Sequence, residues 1–296
     1  EMLLYQENIE KDQKEQIHQA QLRFFTNISH DFRTPLSLIL AALDKLRREG
    51  LKEYYYRILN GNVQRLLNLV NELMDFRTVE NGMMKLELQP LDINRFIKEI
   101  ANDFIDYARQ RNIDFQILCD ESMPTDIYID KNIVEKIVMN LLNNAFKYTP
   151  DRGSIILETR CRKAFTSLYK NSYTVGESTN DVFSIIVSDT GVGISRESIS
   201  SVFERFYKVN TVNADSHLGT GIGLALVKSL VLLQKGTISI HSEREKGTDM
   251  IVYFPLDSSI FNETDFMKQK LQTKKPCLSI LKIWEANSCP QTRKKY

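Results

Sequence analysis

Two segments near the start of the chain each carry a single apolar stripe at helical spacing. In the first segment, apolar side chains recur in steps of three and four residues, at Phe25, Ile28, Phe32, Leu36, Ile39 and Leu43. The second segment repeats this spacing at Leu59, Val63, Leu66, Val70 and Leu73. Two helices with one apolar stripe each cannot close a core between them. The sequence therefore predicts a helical hairpin, with a turn at Gly50, that dimerises into a four-helix bundle.

The face of the first helix opposite its apolar stripe carries a candidate chemical site. At about 100° per residue, His30 lies nearly opposite the stripe and is expected to face solvent. Asp31 follows it directly, and Thr34 lies one helical turn further along the same face. Pro35 predicts a kink just beyond the histidine. This arrangement fits a reactive histidine that a large substrate can reach. The alternative is that His30 has no chemical role, because an isolated exposed histidine is usually inert.

Composition limits the classes of function. A length of 296 residues favours about two domains. The net charge of +1, from 39 basic and 38 acidic residues, argues against nucleic acid as a partner. Four scattered cysteines favour reduced thiols and a cytosolic location, and no apolar run approaches the ~20 residues of a membrane span. We expect a soluble fragment of a longer protein, because the chain begins with Glu1 rather than Met.

Beyond a predicted linker at residues 79–91, helical and strand patterns alternate. Helices are predicted at 92–110, 131–147 and 222–234, with Asp92 as a cap. Strands are predicted at 114–120, 126–129, 154–160, 182–188, 237–241 and 248–254. Residues 164–180, rich in Asn, Ser, Thr and Gly, are interpreted as a long mobile hairpin insert. The pattern indicates a mostly antiparallel sheet with helices on one face.

One cluster of polar side chains lies near the end of the predicted helix at 131–147. Asn140, Asn144, Lys147 and Tyr148 are spaced so that they share a helix face. An amide oxygen suits Mg²⁺, a lysine neutralises phosphate, and a tyrosine ring can stack on a base. The alternative is that these asparagines only cap the helix or face solvent.

Two glycine-containing segments follow. Asp189 comes directly after an apolar strand, where its carboxyl can accept a hydrogen bond from an exocyclic amino group, and Gly191 and Gly193 let backbone approach a flat ring. This pattern is also that of an ordinary strand-to-helix turn. A second run opens the last helix and suits a phosphate cradle, with Gly219, Thr220, Gly221, Gly223 and Leu224.

The region before the second glycine run is polar and irregular, which suggests a lid over a nucleotide at residues 208–218. Phe203 and Phe206 are interpreted as packing residues that anchor this lid. Arg205 and Lys208 are candidates to reach a terminal phosphate, or else are surface charges.

The order and spacing of these segments resemble the cytoplasmic core of sensor histidine kinases over roughly residues 15–256. The matching stretches are the phospho-acceptor box His30–Leu36, the asparagine box Asn140–Tyr148, the first glycine box Asp189–Gly193, the phenylalanine box Phe203–Tyr207 and the second glycine box Gly219–Gly223. Residues 24–36 look most like hybrid two-component sensors of Bacteroidetes. A receiver is not apparent after residue 275, because residues 277–296 lack the acidic pair of such a domain.

The resemblance implies an α+β, multidomain chain and an activity. A dimerising hairpin would precede an α/β sandwich ATP-binding domain with a mostly antiparallel sheet. His30 would take the γ-phosphoryl group of ATP with Asp31 as the proton acceptor, and would pass it to an aspartate of a response-regulator receiver domain. Thr34 would support dephosphorylation of that receiver. ATP and Mg²⁺ are the implied cofactors, with Asn144 as the metal ligand and Asn140 as a second candidate.

The implied domains are a coiled-coil signal helix at 1–20, a dimerisation and phosphotransfer hairpin at 21–80, a linker at 81–91, an ATP-binding domain at 92–257 and a tail at 258–296. The parent protein is expected to be anchored in the inner membrane, with this part in the cytoplasm. Two alternatives stay open at this point. One is another ATPase of the same nucleotide fold, such as a heat-shock chaperone or a mismatch-repair protein, and the other is a dimeric scaffold without catalysis.

Overall fold

The computed structural model describes residues 32, 34–46, 48, 53–177, 181–205, 207 and 221–267. The described residues up to Phe266 belong to one compact unit. Several predicted features lie outside the described residues, namely the entry helix at 1–20, His30, Asp31, the turn at Gly50, Phe206, the proposed lid with Lys208, Gly219, Thr220 and most of the predicted tail.

Two helices begin the described chain. Residues 34–46 form helix α1, and α2 runs from Glu53 to Glu80. Helix α1 continues through Pro35, which is buried together with Ala42. The ammonium of Lys45 lies 5.9 Å from the ring centre of Tyr55, which links α1 to the start of α2. Helix α2 ends at an Asn-Gly pair in which Gly82 has a φ of 63°, a conformation that suits glycine after a helix.

Both helices leave large apolar side chains exposed along one side. These are Leu36, Leu40 and Leu43 of α1 and Val63, Leu67, Val70 and Met74 of α2. A hairpin that leaves such a face open within one chain can bury it against a second hairpin.

The remaining helices and strands alternate along the chain as expected. The helices are α3 (Ile93–Gln110), α4 (Lys131–Tyr148) and α5 (Gly223–Leu233). The strands are β1 (Gln89–Leu91), β2 (Asp114–Leu118), β3 (Ile127–Ile129), β4 (Ser154–Cys161), β5 (Asn171–Val175), β6 (Val182–Asp189), β7 (Thr237–Glu243) and β8 (Gly247–Pro255). Asp92 caps α3 as predicted, because its carboxylate accepts the backbone N–H of Arg95 at 3.0 Å.

Six strands form one sheet in the order β2-β4-β6-β8-β7-β5. Only β2 and β4 run parallel, and every other neighbouring pair is antiparallel, which confirms the mostly antiparallel sheet. Alternate side chains of each strand pack with α3, α4 and α5 into one apolar core, which includes Leu157, Val187 and Val252. The fold is therefore α+β, with helices on one face of the sheet.

Two connections contain strands that were not predicted. The supposed linker ends in strand β1, which pairs with β3 in a separate two-stranded sheet. The supposed mobile insert contains strand β5, which pairs with β7 along the edge of the main sheet. An edge strand made of polar residues is difficult to predict from the sequence, because it is stabilised by backbone pairing and lacks an alternating apolar pattern.

Residues 162–170, here called the crossing segment, connect β4 to β5 and pass over the sheet face away from the helices. The guanidinium of Arg160 lies 4.9 Å from the ring centre of Phe165 and donates to the carbonyl of Ala164 at 3.1 Å. On this same face, the paired residues Ile186 and Ile251 have no exposed surface. The crossing segment therefore helps to cover the second face of the sheet.

The beginning of the predicted tail is ordered. The backbone N–H of Leu88 donates to the carbonyl of Asp265 at 2.8 Å, and the ring of Phe266 packs edge-on against Tyr128. Within the described residues, no helix combines the length and the apolar character that a membrane span needs.

Candidate functional site

Asp189 stands at the end of strand β6 with its side chain on the helix-covered face of the sheet. It is only 8% exposed, and its Oδ1 accepts the backbone N–H of Gly191 at 2.8 Å. The pKa of this carboxyl is raised to about 7. Burial is the main cause and the nearby Asp249 acts in the same direction, while the N–H groups of Gly191 and Thr248 oppose the rise. A buried carboxyl with one oxygen fixed by a backbone N–H suits recognition of a hydrogen-bond donor on a ligand.

The turn after Asp189 lies against the end of helix α4. The backbone N–H of Val192 donates to the carbonyl of Tyr148 at 3.2 Å. A Cβ on Gly191 would come within 2.6 Å of that same carbonyl oxygen. Gly193 has a φ of 62°, and a Cβ there would lie 2.0 Å from the carbonyl oxygen of Glu243. Both glycines thus allow close backbone packing within the protein. The sequence alone instead predicts that they let backbone approach a flat ring.

The end of α4 carries the predicted base-stacking and phosphate-neutralising pair. The ammonium of Lys147 lies 3.0 Å from the hydroxyl of Tyr148 and 4.7 Å from its ring centre, and Tyr148 is 38% exposed. Arg111 holds this end of the helix, because its guanidinium donates to the carbonyl of Thr149 at 2.8 Å and also to that of Phe146. A cation and an open aromatic ring therefore stand beside the turn that follows Asp189.

Asn144 lies one turn and Asn140 two turns further back on α4, and Asn140 is next to the start of α5. Asn140 is half-buried and donates to the carbonyl of Lys136 at 2.9 Å. A Cβ on Gly223 would approach Asn140 Oδ1 to 2.8 Å, so the two helices meet closely at this glycine and a larger residue would displace the Asn140 amide. Asn144 is half-buried, and its side chain has no hydrogen-bond partner among the described residues. Its amide oxygen thus fits a role as a ligand of a hard cation.

Other predicted residues lie elsewhere or are only partly described. Gly221, Gly223 and Leu224 are at the start of α5, with Gly221 at a φ of 70°. The guanidinium of Arg205 forms an ion pair with Glu80 and lies 5.2 Å from the ring centre of Phe76, so it is directed to α2 rather than to the phosphate region. Thr34 is an exposed residue of α1.

Sequence reasoning did not assign Thr248 and Ser242 to the site. Thr248 pairs with Asp189 across β6 and β8, and its hydroxyl lies 2.9 Å from that of Ser242. The Ser242 hydroxyl also accepts the backbone N–H of Ile194 at 2.8 Å, which ties the turn after Asp189 to β7. The stretch Lys246-Gly247-Thr248 resembles the closing glycine-threonine turn between the last two strands of sensor histidine kinases. The contacts themselves could not be derived from it, because they depend on the pairing of strands that are distant in the chain.

The described side chains form a coherent arrangement for a nucleotide. The buried carboxyl of Asp189 and the aromatic ring of Tyr148 lie at one end of this arrangement. Lys147, the amides of Asn144 and Asn140, and the start of α5 at Gly223 follow. Such a set can read an amino group, stack on a base and neutralise phosphates.

Comparisons with known proteins decide the family. Residues 129–258 match the family described as "Histidine kinase-, DNA gyrase B-, and HSP90-like ATPase". Residues 20–82 match "His Kinase A (phospho-acceptor) domain". The chain belongs to the histidine kinase family. The resemblance seen in the sequence is confirmed, and the second part of the chain is an ATP-binding domain.

Curated relatives bear similar names. "Histidine kinase P4" of Formosa agariphila is 37% identical over 268 residues, which are 88% of this chain and 18% of the relative. "Hybrid signal transduction histidine kinase D" of Dictyostelium discoideum is 33% identical and matches 84% of this chain and 16% of the relative. "Autoinducer 2 sensor kinase/phosphatase LuxQ" of Vibrio vulnificus is 28% identical and matches 85% of this chain and 28% of the relative. The histidine kinase core described here thus spans less than a third of the length of each of these relatives.

Solved structures share the fold. The histidine kinase AdeS of Acinetobacter baumannii aligns with a TM-score of 0.57 at 21% identity, over 77% of this chain and 98% of that one. Full-length ShkA in complex with AMPPNP aligns with a TM-score of 0.55 at 25% identity, over 78% of this chain and 45% of that one.

Proposed function

We propose that this chain is a protein-histidine kinase core that transfers the γ-phosphoryl group of ATP to His30. The buried carboxyl of Asp189 carries the proposal, because it provides an acceptor for the adenine amino group beside the open ring of Tyr148. Lys147 and the backbone at the start of α5 would neutralise the phosphates. Arg205 would join them only after leaving Glu80.

Mg²⁺ would be held by Asn144, with Asn140 as the second candidate. The unpartnered amide of Asn144 among the described residues supports this assignment. When bound, the ion neutralises charge on the phosphate oxygens. The asparagines position it and leave its remaining coordination sites to phosphate and water.

In the proposed reaction, an imidazole nitrogen of His30 attacks the γ-phosphorus and the bond from that phosphorus to the β–γ bridging oxygen breaks, so that ADP leaves. The pKa of an ordinary histidine is about 6.5, so the ring is largely neutral and nucleophilic at neutral pH. Asp31 would accept the proton from the other ring nitrogen. The phosphoryl group then passes to an aspartate of a receiver domain.

We further propose a homodimer through α1 and α2, and a phosphatase activity toward the receiver that depends on Thr34. The exposed apolar side of the hairpin supports the dimer. The exposed position of Thr34 and the kinase/phosphatase name of one relative support the second activity. We also propose that the chain is the cytoplasmic core of a membrane-anchored sensor, divided into the domains expected from the sequence.

The match of residues 20–82 to a phospho-acceptor domain favours a kinase over the other ATPases of this fold. The match of residues 129–258 alone does not separate them, because its description also names DNA gyrase B and HSP90.

Incubation with γ-labelled ATP and Mg²⁺ tests the proposal. The wild type should acquire an acid-labile label, and His30→Ala should acquire none. Thr34→Ala should still label but should dephosphorylate the receiver more slowly than the wild type. Label that persists on His30→Ala, or a wild type that never labels, would refute histidine kinase activity and leave a binding or scaffold role.

A further inference from the structure

The crossing segment reaches the strand ends beside Asp189. Within it, the Ser167 hydroxyl donates to Asp249 Oδ2 at 2.5 Å and accepts the backbone N–H of Tyr169 at 3.1 Å. Asp249 is buried in β8, one residue from the partner of Asp189 in the strand register. These two hydrogen bonds fix the backbone of Tyr169 against the sheet.

The side chain of Tyr169 joins two pieces of backbone at the site. Its hydroxyl lies 3.3 Å from the carbonyl oxygen of Asp189 and 3.3 Å from that of Lys246. A phenol has one proton to donate, so the two carbonyls share it. Asp189 ends β6 and Lys246 lies in the turn between β7 and β8, so this hydroxyl ties the turn to the residue proposed to read adenine.

Gly247 permits this contact. It has a φ of 133°, and a Cβ there would lie 2.0 Å from the Asp189 carbonyl oxygen and 2.5 Å from the Tyr169 hydroxyl. Any side chain would push these three groups apart, because backbone at this φ is strained for other residues and the contact is below van der Waals distance. The close approach of Asp189, Tyr169 and the turn therefore depends on glycine at this position.

The hydroxyl remains a donor throughout the physiological pH range. Partial burial, together with the carboxylates of Asp249 and Asp189, raises the pKa of Tyr169 to about 12.

We propose that Tyr169 is a positioning residue that sets the adenine specificity of the site by fixing the backbone of Asp189. The inference rests on the proposed adenine-reading role of Asp189. Tyr169 itself stands behind that residue, on the sheet face away from the helices, and acts through its carbonyl rather than through the ligand.

ITP provides a sharp test, since it carries a carbonyl oxygen where ATP carries the amino group that Asp189 would accept. Binding of ATP and of ITP is measured on the whole chain by calorimetry for the wild type, Tyr169→Phe and Asp189→Asn. The matched control is Tyr128→Phe, which makes the same chemical change on the separate two-stranded sheet. We expect the wild type to prefer ATP and Asp189→Asn to lose that preference.

Tyr169→Phe keeps the ring and removes only the shared hydrogen bond. We expect ATP affinity to fall about threefold to tenfold, as for the loss of one neutral hydrogen bond, while ITP affinity changes less than about twofold. Tyr128→Phe should leave both affinities unchanged. Equal losses for ATP and ITP, or no loss for either, would overturn the inference while leaving the role of Asp189 intact. A wild type that binds ATP and ITP equally would overturn the adenine role of Asp189 and the inference with it.

Discussion

At the residue scale, the carboxyl of Asp189 is buried, yet it would bind an amino group best in its charged form. Its surroundings favour the protonated carboxyl, and its pKa is raised to about 7 mainly by burial. A protonated carboxyl can still accept a hydrogen bond, but an ionised one accepts far more strongly from an amino group. Nucleotide recognition should therefore change over the same pH range in which this side chain titrates.

We predict that the preference for ATP over ITP increases as the pH rises from 5.5 to 8. Below the pKa of Asp189, which is about 7, each pH unit should change the ratio of the two affinities by up to about tenfold. The phosphate groups of ATP and ITP titrate alike, so their ionisation cancels in the ratio. The ratio is measured by competition binding at several pH values.

Asp189→Asn is the control for this pH series, and its ratio should not vary with pH. The same titration affects stability with a defined sign. Because the folded-state pKa is raised from 3.8 to about 7, the folded protein holds the proton longer than the unfolded chain does, and the free energy of unfolding falls as the pH rises through that interval. A wild-type ratio that is flat with pH would contradict the assigned ionisation.

The sequence predicts the placement of some site residues and not of others. The face shared by Asn140, Asn144 and Lys147 follows from helical spacing alone, and the structure keeps these residues on α4. The close approach of Gly223 to Asn140 could not be derived, because the two residues are 83 positions apart in the sequence. The direction of Arg205 toward Glu80 likewise depends on where α2 lies against the ATP-binding domain.

At the scale of elements, strong periodic patterns were predicted well and polar connections were not. The bounds of α3 and α4 agree with the predicted helices to within one residue. Strand β5 was missed because its residues Asn171–Val175 are mostly polar and their exposed side gives no apolar alternation. Its pairing with β7 could be found only from the fold, and so could the crossing segment that precedes it.

One ion pair fixes the end of α2 against α4. The ammonium of Lys136 lies 2.6 Å from Asp75 Oδ1, and the two side chains are 35% and 28% exposed. We predict that Asp75→Asn speeds amide hydrogen exchange at the end of α2 by about fivefold, the factor that corresponds to ~1 kcal/mol for a partly buried pair. Exchange is measured by mass spectrometry on peptides that cover residues 70–80.

The ion pair of Arg95 and Glu99 within α3 is the matched control. Its Nε and Oε1 atoms lie 3.1 Å apart, but the two side chains are 79% and 54% exposed. Glu99→Gln should change exchange in α3 by less than twofold, roughly the effect of an exposed pair. The charge-swapped double variant, Asp75→Lys with Lys136→Asp, should recover part of the protection from hydrogen exchange that Asp75→Asn loses. If Asp75→Asn and Glu99→Gln have the same small effect, the contact between α2 and α4 does not depend on this pair.

At the scale of the whole molecule, the exposed apolar side of α1 and α2 is the feature that one chain leaves incomplete. The sequence predicted this arrangement, because each helix carries one stripe and the hairpin can bury only part of both. In the structure, Pro35 and Ala42 are buried whereas Leu40 and Leu67 are 65% and 50% exposed. A second copy that packs on this side would complete a four-helix core.

We predict that Leu67→Glu dissociates the dimer. Each substitution occurs twice in a symmetric dimer, and the loss of a buried leucine costs roughly 1.5–3 kcal/mol per copy, so the dimer dissociation constant should rise at least about 100-fold. Leu168→Glu is the control, since this crossing-segment leucine is 94% exposed and stands outside the hairpin. Sedimentation equilibrium measures both constants. An unchanged constant for Leu67→Glu, or an equal rise for Leu168→Glu, would mean that the chain associates through a different surface, because a charge placed in a four-helix core cannot be tolerated without cost.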